Sequence, residues 1–222
     1  VSTIKKKIIR LFILIPVALG LMLFLPAGTL CYWQAWAFIA TLIIPLAFVI
    51  LYFLKHDPDL LERRLRYKEK ERRERVIIAI GNFLFLAGLL APGFDRHFGW
   101  SHMPAWLSIV ADAVIFASYM FVFRVYRENS YASRILEIQQ GQKVIDTGPY
   151  AAIRHPMYAG IIAMYLSIPL ALGSYISLAF FVPVISLIFV RIFDEERLLL
   201  KDLPGYKDYT ERVRYRLIPR IW

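Results

Sequence analysis

The stretch Thr147-Gly148-Pro149-Tyr150-Ala151-Ala152-Ile153-Arg154-His155-Pro156-Met157-Tyr158-Ala159-Gly160 sets a turn and two charged or titratable side chains directly against an apolar run. Gly148-Pro149 cannot continue a helix, whereas Pro156 suits the first turn of a helix predicted from about Met157 to Leu172, where its missing N–H is no loss. Arg154 and His155 therefore stand at a helix N-terminus. Such an end carries unpaired N–H groups and partial positive charge, and with Arg154 beside it can hold a carboxylate or phosphate. Gly160, one turn further in, allows another group close to the backbone.

The run after Pro156 is one of several. A chain of 222 residues with 59% hydrophobic content and a mean hydropathy of +0.53 is too apolar for an ordinary soluble domain. Runs near the ~20 residues that cross a bilayer fall at roughly 8–28, 33–54, 76–93, 105–126, 157–172 and 175–193. The fold class is all-α: a polytopic membrane protein of about six transmembrane helices, its partner the lipid bilayer. Only Gly173-Ser174 separates the last two runs, which predicts a tight antiparallel hairpin.

Lys and Arg concentrate in alternate connections: Lys5, Lys6, Lys7 and Arg10, then 9 in residues 55–75, 4 in 127–156 and 8 from Arg191 onward. By the positive-inside rule both termini, and the polar segment around Arg154, face the cytoplasm. Topology and anionic lipid account for the formal charge of +10, so no nucleic-acid partner is expected. The first apolar run is span-length without a small-residue cleavage site, and reads as a retained span rather than a signal peptide. The single cysteine, Cys31, excludes an internal disulfide. His56, His97, His102 and His155 lie in three regions on both sides of the membrane, which argues against a metal site.

Residues 1–126 read as a four-span scaffold and 127–222 as the cofactor-binding part of one structural domain. The connection Lys55–Arg75 mixes 9 basic and 6 acidic residues, the composition of a solvated helix laced with i,i+4 pairs. Asp112 is an acid inside the fourth span, read here as hydrogen-bonded to a neighbouring helix. From Arg127 onward, polar clusters at 127–156 and 194–222 flank the last two spans on one side and are free to meet. A pocket built from them would serve a polar cofactor in the cytosol and a lipid substrate in the bilayer.

The tail supplies Asp194-Glu195-Glu196-Arg197, Leu203-Pro204-Gly205-Tyr206-Lys207-Asp208-Tyr209 and Val213-Arg214-Tyr215-Arg216-Leu217-Ile218-Pro219. Gly-Pro-Tyr leading into Arg-His-Pro-x-Tyr-x-Gly, a Glu-Glu pair ending the last span, and a Gly-Tyr-x-x-Tyr helix together resemble the isoprenylcysteine carboxyl methyltransferase family. The related phospholipid methyltransferases share much of the pattern. The resemblance covers about residues 129–222, with Asn129-Ser130-Tyr131 at its front edge.

It implies S-adenosylmethionine as cofactor, held in a cytosol-facing pocket made by the last two spans and the tail. In that pocket Glu196 suits the ribose diol or amino group, His155 and Tyr158 the polar edges, and the Gly148-Pro149-Tyr150 backbone and Gly160 a close approach. Tyr206 and Tyr209 fit pocket walls and interfacial anchors equally well. Glu195, four residues after Arg191, fits a helix ion pair as well as a cofactor contact. The acceptor is a lipid-like or prenylated carboxylate, ionised at pH 7 and in need of a cation rather than a base. Arg154 with Arg212 or Arg216 is the predicted clamp, since the planar guanidinium matches a carboxylate. For a phospholipid amine, Glu195 would be the base. An NADPH-dependent membrane reductase of the sterol reductase type is the alternative, through its Arg-His element and an ending like Tyr215-Arg216-Leu217-Ile218-Pro219. Such enzymes are usually longer and lack the Gly-Pro-Tyr lead.

Overall fold

The structure, a computed structural model, describes residues 2–65, 72–131 and 138–222, the side chains of 2–9, 62–65 and 72–74 excepted. Its elements are α1 (Ser2–Ala27), α2 (Trp33–His56), α3 (Pro58–Leu65), α4 (Arg72–Phe98), α5 (Ala105–Glu128), α6 (Pro156–Ala171), α7 (Leu178–Asp202) and α8 (Tyr206–Arg212), with a 3-10 turn at Gly148–Ala151. No strand occurs among the described residues. The protein is all-helical, as the apolar runs predict.

Four helices are long and apolar enough to cross a membrane, over Arg10–Ala27, Trp33–His56, Arg75–Phe98 and Ala105–Glu128; Pro156–Ala171 is a shorter apolar helix. Their outward faces expose large apolar side chains such as Leu25, Ile44, Phe83 and Ile109, as lipid-facing helices do. The six long helices close a ring in which α1 packs on α2, α2 on α5, α5 on α6, α6 on α7, α7 on α4 and α4 on α1. One buried cluster, including Leu23, Phe38, Ile115, Ile168 and Phe181, fills the middle.

Two predicted features come out differently. The α6–α7 connection spans residues 172–177, and α6 leans chiefly on α5 rather than forming a tight hairpin with α7. Gly160 is the reason: a Cβ there would lie 2.6 Å from Val122 Cγ2, so only glycine lets α6 and α5 approach this closely. The last span also runs past residue 193 to Asp202, because the helix formers Glu195, Glu196, Arg197 and Leu198–Leu200 carry it onward. It stops where Pro204 forces Leu203 into an extended conformation. The charged helix predicted over Lys55–Arg75 is seen as the end of α2, α3 and the start of α4; residues 66–71 and the ion pairs expected of them lie outside the described residues. Asp112 is buried on α5 and bonds Thr41 of α2.

The connections 28–32, 99–104 and 172–177 gather at one end of the ring. The opposite end gathers the 129–155 segment and the tail, and the site lies there.

Candidate functional site

Pro156 opens α6 with His155 as its N-cap, as its missing N–H dictates. The backbone N–H groups just before the helix are nonetheless taken. Arg154 N–H donates to Tyr215 O and His155 N–H to Arg216 O, both at 2.9 Å, so the tail strand covers the corner where an anion was expected to sit.

Glu196 ties this corner together. Its Oε1 accepts from Arg154 Nε at 2.7 Å and His155 Nε2 at 3.2 Å, and its Oε2 accepts from Arg216 Nε at 2.8 Å. Arg154 Nη1 also donates to Val213 O at 2.8 Å and Arg214 O at 2.7 Å. Arg154, His155 and Glu196 are 8%, 4% and 6% exposed, so this is an internal clasp. Burial opposes the charged form of Glu196, but the hydrogen bonds from His155, Arg154 and Arg216 outweigh it and bring the carboxyl down to about 2. An ionised carboxylate only accepts, so His155 Nε2 carries its proton toward Glu196. Arg216 completes the closure, its guanidinium 5.2 Å from the Trp222 ring and 5.5 Å from that of Phe193.

Against the clasp lies a cavity with about 890 Å³ of empty space, counting its open mouth. Tyr150, Tyr206 and Tyr209 supply aromatic wall, Lys143 and Glu195 supply charge, and His155 lines the inner side. The 3-10 turn and α8 are pinned to each other by Tyr209, whose hydroxyl donates to Tyr150 O at 2.8 Å. Asn129, at the end of α5, donates to the Tyr150 hydroxyl at 3.0 Å. Burial raises the Tyr150, Tyr206 and Tyr209 hydroxyls well above their ordinary range, so all three keep their protons.

Tyr206 stands apart from the other two. It is 4% exposed, and among the described residues nothing hydrogen-bonds its hydroxyl. A buried hydroxyl without a partner on a cavity wall costs stability unless a ligand or water satisfies it.

Several predicted site residues fall elsewhere. Glu196 is enclosed in the clasp, and its neighbour Glu195 is the carboxylate on the cavity wall. Arg216 belongs to the clasp, and Arg212 makes an exposed pair with Asp146 at 2.9 Å, so neither lines the cavity. Gly160 faces α5. Gly148 and Pro149 form the turn without reaching the wall: Gly148 has φ +56°, and a Cβ there would meet the Glu128 carboxyl at 2.8 Å. Glu128 in turn accepts from the Thr147 hydroxyl. Arg154, His155, Tyr150, Tyr158, Tyr206, Tyr209 and Glu195 do come together on the wall.

Two charged wall residues were not singled out as ligands. Lys143 sits in a stretch with no motif to mark it. Arg191 was read only as a helix partner of Glu195, although a cation one turn before a Glu-Glu pair was itself a signal. Tyr158 joins the two: its hydroxyl donates to Glu195 Oε2 at 2.7 Å, and Arg191 bonds the same hydroxyl.

At Met157, Tyr158 and Arg191 the cavity meets a second one, a groove between α4, α6 and α7 of about 990 Å³ counting its open side, whose walls are mostly apolar. A polar chamber and an apolar channel therefore share one junction.

A carboxylate on the wall, an unsatisfied hydroxyl and three aromatic rings fit the chemistry of S-adenosylmethionine. Carboxylates accept from a ribose diol or an ammonium group, and aromatic faces take an adenine or a sulfonium.

No match is found among curated proteins. Residues 107–201, from α5 through nearly all of α7, match the model of the isoprenylcysteine carboxyl methyltransferase (ICMT) family. That stretch carries the Arg154-His155 corner, α6 and the Glu195-Glu196 pair, while the tail half of the clasp lies beyond it. Over these residues the chain is similar to the isoprenylcysteine carboxyl methyltransferase family, which supports a membrane methyltransferase.

Proposed function

We propose that this protein is an integral membrane methyltransferase that uses S-adenosylmethionine to methylate the carboxylate of a lipophilic acceptor, lipid-like or prenylated. The observation that carries this reading is the junction itself: the polar cavity holding Glu195 and the unsatisfied Tyr206 hydroxyl meets the apolar groove at Tyr158 and Arg191. The concentration of Lys and Arg at this end supports a cytoplasmic orientation for the site and both termini.

Glu195, Tyr206 and His155 would hold the cofactor's polar groups, with Tyr150 and Tyr209 as ring walls. When bound, S-adenosylmethionine supplies a methyl group on a sulfonium, which departs as a neutral thioether while the acceptor oxygen forms the new bond. The remaining work falls to positioning. Arg191 replaces Arg212 and Arg216 as the cation for the acceptor carboxylate, because it alone of the three lines the junction. Arg154 reaches the cavity wall but already holds Glu196 and two tail carbonyls, so its first role is to keep the tail closed. No base is needed for an ionised carboxylate; with an amine acceptor, Glu195 would take the proton directly or through Tyr158.

Calorimetric titration of purified protein with S-adenosylmethionine, S-adenosylhomocysteine and NADPH tests this reading. Saturable binding of the first two, weakened by Tyr206→Phe, is expected. Binding of NADPH alone would make the protein a reductase and overturn it.

A further inference from the structure

We infer that the groove between α4, α6 and α7 seats a single apolar tail of the acceptor and measures its length, with Phe85, Tyr165 and Phe181 as the stop. This rests on the methyltransferase reading above for the head group, but the groove's length and its end are properties of the helices alone.

Each helix gives the groove one face. On α4 the wall runs from Ile77 through Gly81 to Phe85, on α6 from Met157 to Tyr165, and on α7 from Arg191 back to Val184. These are spans of eight or nine residues, so seven or eight steps of about 1.5 Å make the groove roughly 10–12 Å long, the reach of about eight to ten extended methylenes. Its near end carries Arg191 and opens into the cofactor cavity through the shared residues Met157 and Tyr158. One cation at one end of an apolar slot is complementary to one anionic head on one apolar tail.

The far end is shut. Phe85 lies 5.3 Å from Tyr165 and 5.5 Å from Phe181, ring centre to ring centre, and Tyr165 lies 5.8 Å from Phe181. One turn beyond Phe85, α4 and α7 touch: a Cβ on Gly88 would stand 2.7 Å from the Phe181 ring, and Ser177 donates to Gly88 O at 2.6 Å. Nearer the site the same two helices are packed less tightly. A Cβ on Gly81 would make only an ordinary 3.6 Å contact with Leu187 Cδ1. The groove is therefore blind, closed at the aromatic trio. Tail beyond its length must turn out into the bilayer, past the exposed Asn82.

The test uses the full chain in phosphatidylcholine nanodiscs and S-alkyl thioglycolic acids from hexyl to hexadecyl, each with a terminal diazirine, photolysed and mapped by mass spectrometry. Octyl and decyl probes should label Phe85 or Tyr165, and affinity should rise with each carbon up to about decyl and then level off. Phe85→Ala should move the break to longer probes; Gly81→Leu should reduce groove labelling at least tenfold while leaving S-adenosylmethionine affinity unchanged in calorimetry. Labelling on α1 or α2, affinity that climbs evenly to hexadecyl, a break unmoved by Phe85→Ala, or groove labelling undiminished in Gly81→Leu would overturn the inference. So would labelling that excess phosphatidylcholine abolishes, since the occupant would then be a bilayer lipid. Loss of cofactor binding by the wild-type protein would sink the methyltransferase reading and leave the labelling pattern to judge the groove by itself.

Discussion

The two ends of the helix ring each bury a carboxylate, and each uses it to fasten loops, but with different partners. Asp95, 2% exposed at the end of α4, accepts from the Ser101 N–H and hydroxyl, both at 2.7 Å, and from the Ser174 hydroxyl, all neutral donors. Glu196 accepts from two guanidinium groups and an imidazole. A carboxylate tied by neutral donors can lose its charge and keep most of its hydrogen bonds. One that neutralises buried cations cannot, because removing it strands them. Both accept hydrogen bonds from the protein at each of their oxygens. What sets the Glu196 end apart is that the cavity beside the clasp, with Glu195 and Tyr206 on its wall, opens into an apolar groove.

The largest expected effect breaks the comparison most directly. Glu196→Gln should cost about 3–5 kcal/mol of stability by leaving Arg154 and His155 buried without their anion, whereas Asp95→Asn, which keeps an acceptor oxygen, should cost about 1 kcal/mol. Thermal unfolding in detergent measures both, and equal losses would show that the two ties are alike. Acid sharpens the same contrast. Because the Glu196 carboxyl is lowered to about 2 when folded, its contribution is fully present above the unfolded value of about 4.3 and is lost as pH falls through about 2. The gap in melting temperature between wild type and Glu196→Gln should therefore hold from neutral pH to about 4.5 and narrow below it.

Smaller effects belong to the cavity side. Glu195→Gln should leave the melting temperature near that of wild type and weaken S-adenosylmethionine about tenfold, the worth of one charge-assisted hydrogen bond of about 1.5 kcal/mol. Tyr206→Phe should weaken it only several-fold, by about 0.5–1 kcal/mol, and should not destabilise the protein without ligand, since the hydroxyl has no partner to lose. Arg212→Ala should be nearly silent in both measurements, within about 0.5 kcal/mol, because its pair with Asp146 is exposed.

The helices and the Arg154-His155-Pro156 corner were legible because they follow from local chemistry: apolar runs of span length and a proline that fits only the first turn. The tail tyrosines were legible as a pair three residues apart, but their spacing fitted interfacial anchors as well as the cavity wall on which they lie. Which of two adjacent glutamates faces the cavity was not. Successive helix residues point about 100° apart, and choosing between them needs the register of α7 against Arg154, 42 residues away in the chain. The same holds for the tail arginines, whose directions depend on a closure made by Trp222 and Glu196. The α5–α6 contact was hidden for a related reason: Gly160 marks a close approach, but nothing local says to what.

The most direct measurement compares the neighbours Glu195 and Glu196. Thermal unfolding of wild type, Glu195→Gln and Glu196→Gln, each with and without saturating S-adenosylmethionine, separates fastening from binding in a single plate. Glu195→Gln should melt with wild type in the absence of cofactor and gain much less from it, while Glu196→Gln should melt lower throughout. A Glu195→Gln protein that S-adenosylmethionine stabilises as fully as wild type would contradict the placement of the cofactor beside Glu195.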